Sequence, residues 1–94
     1  MITVTRLTGD DPLVFDVEVA DAGGKSRHRV TLRRADWTRL AGASAPERLI
    51  DASFRFLLER ERKESILARF DFSVIARYFP EFERELPRYF AGAE

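Results

Sequence analysis

The chain has 94 residues, 45% hydrophobic and 34% charged, with sixteen basic and sixteen acidic side chains and a formal net charge of zero. That balance excludes a disordered tail and a chain drawn as a whole to nucleic acid or to an anionic membrane. The absence of cysteine excludes disulfides, thiol catalysis and thiolate metal sites.

The length suits one domain, 1–94, around one core, and eleven aromatic residues supply large side chains for it. The opening MITVTRLTGDDP has no uninterrupted apolar stretch, and no segment approaches the roughly 20 apolar residues of a membrane helix. The chain therefore reads as cytoplasmic, with no membrane partner.

Ile2 to Thr8 is short and β-branched, as a strand would be, and Gly9, Asp10, Asp11 and Pro12 follow as turn formers. Leu13, Phe15, Val17 and Val19 alternate with Asp16 and Glu18, the pattern of a half-buried strand. Gly23 and Gly24 suit a tight hairpin, and Ser26 to Arg33 alternates again, with His28, Val30 and Leu32 on the apolar face. The apolar faces match only if paired residue numbers sum to an odd value. A two-residue Gly23-Gly24 turn meets that condition and sets Val19 across from His28, Val17 from Val30, Phe15 from Leu32 and Glu18 from Arg29.

Ala35 to Ala41 suits a short helix carrying Trp37 and Leu40, stopped by Gly42. Ser44 to Arg62 has the clearest period in the chain. Leu49, Ile50, Phe54, Leu57 and Leu58 recur at three- and four-residue steps, and Phe56 widens the arc. Ser44 and Glu47 fit a capping box, with Pro46 in the first turn.

Beyond Arg62 the pattern divides into Lys63 to Phe70 and Ser73 to Phe79, the second capped by Asp71. Pro80 and Glu81 open a last helical segment that Pro87 should stop after Leu86, leaving Arg88, Tyr89 and Phe90 as a non-helical arm before a frayed 91–94 tail. The expected fold is α+β: a three-stranded antiparallel β-meander over 1–34, then a helical part over 35–90. That part holds a short helix, a long central helix and several short C-terminal helices.

The run ESILARFDFSVIARYFPEF, with the preceding ASFRFLLERE, resembles a group of small bacterial proteins of no assigned function. The likeness covers about the C-terminal half of the chain. It implies no activity, substrate or site residue.

Little in the sequence points to catalysis. His28 is the one histidine, it falls on the inner strand face, and no carboxylate or nucleophile is placed beside it. Asp10-Asp11 precedes a proline in a turn, a better reason for aspartate than ion binding. Glu81, Glu83 and Glu85 read as solvated. Gly23-Gly24-Lys25-Ser26 lacks the first glycine of a phosphate loop, since Val19 stands there. The expectation is a protein that is not an enzyme, with no cofactor and no metal.

Two binding surfaces remain. Seven aromatics crowd the last quarter of the chain, and Phe82, Tyr89 and Phe90 are the candidate contacts for a protein partner or a second copy. The alternative is nucleic-acid binding by the basic hairpin through Arg27, Arg29, Arg33 and Arg34. Asp16 and Glu18 share that face and cancel part of its field. A helix-turn-helix over Ser65 to Phe79 is disfavoured, because Lys63 to Leu86 holds four basic and five acidic residues. A small protein-interaction domain, one that can self-associate, is the leading expectation.

Overall fold

The structure is a computed structural model that describes residues 1–91. It is α+β. Strands β1 (Ile2–Thr8), β2 (Leu13–Asp21) and β3 (Gly24–Leu32) form an antiparallel meander. Helices α1 (Arg34–Ala41) and α2 (Pro46–Arg60) follow, then a 3-10 turn at Lys63–Ser65. A short fourth strand, β4 (Arg69–Asp71), lies parallel to β3 and completes the order β1-β2-β3-β4. Helices α3 (Ser73–Tyr78) and α4 (Phe82–Ala91) end the described chain. The 91–94 tail begins at the last residue of α4, and the rest of it lies outside the described residues.

The alternation in β2 and β3 does what its period requires. Leu13, Phe15, Val17, Val19, His28, Val30 and Leu32 are all buried, while Asp16, Glu18 and Arg29 stay on the outer face. The hairpin register differs from the expected one by two residues: Phe15 pairs with Val30, Val17 with His28 and Glu18 with Arg27. The turn centres on Ala22 and Gly23 because the Asp21 carboxylate accepts the Gly23 N–H at 2.8 Å. Gly24 then opens β3 with φ at +123°, a conformation that strains any residue with a Cβ. The sum of paired numbers stays odd, so every side chain keeps its expected face.

Helix α2 lies between the sheet and α4. Toward the sheet, the Phe54 ring sits 5.4 Å from His28 and 6.1 Å from Phe70. Toward α4, Phe56 packs edge-on at 4.9 Å from Phe82 and 5.8 Å from Tyr89. Leu49, Ile50, Phe54, Phe56 and Leu57 are buried, and each contributes about 1.5–3 kcal/mol of hydrophobic stabilisation.

Three sequence expectations are corrected here. The capping box does not form: α2 begins after Ala45 with no side-chain cap. Glu47 instead takes a two-pronged contact from the Arg6 guanidinium, at 2.7 and 2.8 Å, which is stronger than an amide hydrogen bond and lowers the Glu47 pKa. Lys63 to Phe70 is not helical but a 3-10 turn running into β4, so the sheet has four strands rather than three. Pro87 does not stop α4, which continues through it to Ala91. Burial of Phe82 and Leu86 on the packed face, about 1.5–3 kcal/mol each, offsets the roughly 3 kcal/mol an interior proline costs.

Candidate interaction groove

The segment that closes the sheet also shapes an open, largely apolar groove. Its anchors are polar. Arg29 donates its N–H to Ala68 O at 2.7 Å, and Phe72 donates to Thr31 O at 2.8 Å. Leu67 O can only accept, so the 2.8 Å contact from His28 fixes a proton on Nδ1, with Nε2 left to Ser26 Oγ at 2.8 Å. Asp71 accepts from Thr31 Oγ1 at 2.7 Å with one oxygen, and from Ser73 N–H at 3.0 Å and Ser73 Oγ at 2.6 Å with the other. Asp71 is not the expected cap: the N-cap of α3 is Phe72, with no side-chain cap, and Asp71 stands one residue before it and closes a turn onto Ser73. Burial opposes ionisation of Asp71, but the Ser73 and Thr31 hydrogen bonds outweigh it and lower its pKa.

Between this segment and the end of α2 runs a groove of about 280 Å³. Leu57, Ile66, Leu67, Phe70, Val74 and Tyr78 are among its lining, with Glu61 and Ser65 as polar members. Helix α3 has only two turns and carries Val74, Ile75, Tyr78 and Phe79 on one arc. It cannot bury all four. Ile75 goes inward at 3% exposure, whereas Tyr78 is 69% exposed and Leu67 beside the groove is 49% exposed. Arg77, next to Tyr78, is exposed and has no carboxylate partner among the described residues.

The aromatic residues singled out from sequence lie elsewhere. Phe82 is fully buried and Tyr89 is 9% exposed, both packed on Phe56. Phe90 is half-buried, with the Arg48 guanidinium 5.8 Å above its ring. These three hold α4 on α2 and offer little surface. Tyr78 and Leu67 are exposed beside the groove, and Met1 and Leu7 are the other large apolar residues exposed among the described residues. The signal of Tyr78 and Leu67 in the sequence was the excess of apolar residues on a segment too short to cover them.

The basic hairpin is largely engaged with its own neighbours. Arg27 lies 3.4 Å from Glu18, and Arg29 lies 3.1 Å from Asp16. The Arg34 side chain donates to Gly9 O at 3.0 Å and stacks over Trp37, while its backbone N–H reaches Asp11 at 3.2 Å. Arg33 is exposed and near enough to Asp71 to help lower that pKa. The late glutamates are paired as well: Glu81 with Arg60 at 3.2 Å, Glu83 with Arg39 at 2.6 Å and Glu85 with Arg88 at 2.6 Å. Among the described residues no three His, Asp or Glu side chains gather as a metal site, and no helix is long and apolar enough to cross a membrane.

A scan against protein-family models, a search of curated proteins and a search of solved structures each find no match. What the chain does has to be read from its surface.

Proposed function

We propose that the chain is a non-catalytic protein-interaction module whose groove beside Tyr78 receives apolar side chains of a partner protein. The observation that carries this reading is the joint exposure of Tyr78 and Leu67 over a lined apolar groove. Exposed tyrosine beside arginine is the composition of an interface centre, and a contiguous apolar patch costs solubility unless something covers it. The volume, about 280 Å³, falls just below the roughly 300–1,000 Å³ of small-molecule sites and suits a few apolar side chains. Glu61 is the carboxylate in the lining, and His28 is spent on holding Leu67 in place. Ser65 shares the lining with Glu61 but no histidine does, and the Ser26 hydroxyl that meets His28 Nε2 at 2.8 Å is not part of the lining, so the groove supports binding rather than chemistry.

Apolar anchoring makes the affinity weakly dependent on salt, because a rim contact from Arg77 contributes little. The test compares proteins retained from the native cell by the unaltered chain and by Tyr78→Ala and Leu67→Lys. A specific partner is lost by both variants. Retention of the same set by all three removes the groove from the function.

A nucleic-acid role for Arg27, Arg29, Arg33 and Arg34 is the competing reading. The Asp16 and Glu18 ion pairs weigh against it, since two of the four guanidiniums must leave a carboxylate before meeting a phosphate.

A further inference from the structure

Strand β1 is an outer strand of the sheet, and its free edge is fixed by the bonding at its start. Met1 donates to Ala20 O at 2.6 Å, and Ala20 donates back to Met1 O at 2.8 Å. Closely bonded pairs recur every second residue in an antiparallel ladder, so Thr3 with Glu18 and Thr5 with Asp16 repeat that exchange. Ile2, Val4 and Arg6, at the intervening pairs, turn their N–H and C=O groups away from β2. None of these six groups has a partner among the described residues.

Exposed edges are normally guarded by lysine, proline, a bulge or a charge that points outward. Ile2, Thr3, Val4 and Thr5 carry none of these, and the irregularity in the pairing comes only after Arg6. The one charge on this stretch, Arg6, is drawn back onto α2 by Glu47 at 2.7 Å. It is neutralised there instead of repelling another strand.

We infer that this edge pairs with the same edge of a second copy, antiparallel about a two-fold axis at Val4. In that register Val4 meets Val4 of the other copy, Ile2 meets Arg6, and Thr3 meets Thr5. The even sum keeps inner-face residues with inner-face residues, and the Thr-Thr pairs lie on the solvent face, where such pairs are favourable. Each copy supplies both halves of every contact, as a closed two-fold interface requires. A chain of zero net charge brings no overall repulsion to its own copy.

The test is sedimentation velocity on the full chain from micromolar to several hundred micromolar, with residue-resolved hydrogen exchange at both ends of that range. The expected result is a dimer in which the amides of Ile2, Val4 and Arg6 gain protection as concentration rises, while those of Thr3 and Thr5 are protected throughout. The double variant Thr3→Lys, Thr5→Lys sets lysines opposite each other in the dimer, yet each lies beside Glu18 or Asp16 in its own sheet. At the lowest concentration, where both chains are monomers, its melting curve matches that of the unaltered chain, and at the highest its mass is half. Tyr78→Ala leaves the dimer intact, which separates this inference from the groove. A monomer throughout the range, a dimer whose Val4 amide exchanges freely, or a double-lysine variant that still dimerises overturns it.

Discussion

The Tyr89 hydroxyl donates to Glu59 at 2.7 Å and accepts from Arg60 at 3.3 Å, so one phenol fastens α4 to two consecutive residues of α2. Its ring meets Phe56 edge-on, and the Arg60 guanidinium stacks 3.7 Å from the centroid of the same Phe56 ring. Tyr89→Phe keeps the ring contact and loses the hydroxyl, a destabilisation of about 1 kcal/mol. Tyr89→Ala also removes a buried ring and costs about 3–5 kcal/mol, a large share of a small domain's stability. Urea unfolding followed by circular dichroism measures both. Equal stability of the two variants would mean that the packing argument is wrong.

Exposure sets the opposite expectation for Tyr78. Tyr78→Ala changes unfolding free energy by no more than about 0.5 kcal/mol, while Phe82→Ala, at a fully buried site, costs about 3–5 kcal/mol. Tyr78 can therefore be altered in binding experiments without loss of the fold. A melt of Tyr78→Ala that tracks Phe82→Ala would place Tyr78 in the core and remove the groove.

Asp71 gives the β3–β4 junction a dependence on acid. Its pKa is lowered in the folded chain, so the stability it contributes is present above its unfolded value of about 3.9 and is lost as pH falls through the lower folded value. Asp71→Asn should melt earlier near neutrality, with the difference from the unaltered chain shrinking below about pH 4. Glu47, Glu81 and Glu83 are lowered too and act on both proteins alike, so the difference between the two melting profiles isolates Asp71. A gap that persists unchanged into strong acid would contradict this account.

For the hairpin, fluorescence anisotropy of labelled duplex DNA, single-stranded DNA and RNA should not change on adding the chain at low salt. Releasing the arginines by Asp16→Asn with Glu18→Gln should create a weak, salt-sensitive association. Binding by the unaltered chain that is lost in Arg27→Ala with Arg29→Ala would restore the nucleic-acid reading.

Alternation makes β2 and β3 legible in the sequence, and helical spacing the buried face of α2, because burial on one face writes itself into the pattern; β1 is legible from its β-branched composition and α1 from the Gly42 stop. Lys63 to Asp71 was not legible. A three-residue strand has too few side chains to show a period, and its place beside β3 depends on carbonyls and on Asp71 rather than on apolar spacing. Tyr89 and Phe90 lie on α4 and not on an arm because the burial of Phe82, Leu86 and Tyr89 outweighs the local cost of Pro87, a balance that local sequence does not display. The exposure of Tyr78 was hidden for a similar reason: sequence shows how much apolar surface a segment carries, but not how much its neighbours can cover.

The parallel pairing of β4 has a consequence for when the groove exists. Thr31 and Asp71 are 40 positions apart, so their contact must close a long loop, whereas the meander assembles from neighbours along the chain. The wall carrying Leu67 and Phe70 is thus the last part of the sheet to form, and with three residues in its ladder it is the first to come away. A partner seated there would hold a latch closed, and its affinity would include the free energy of shutting that latch.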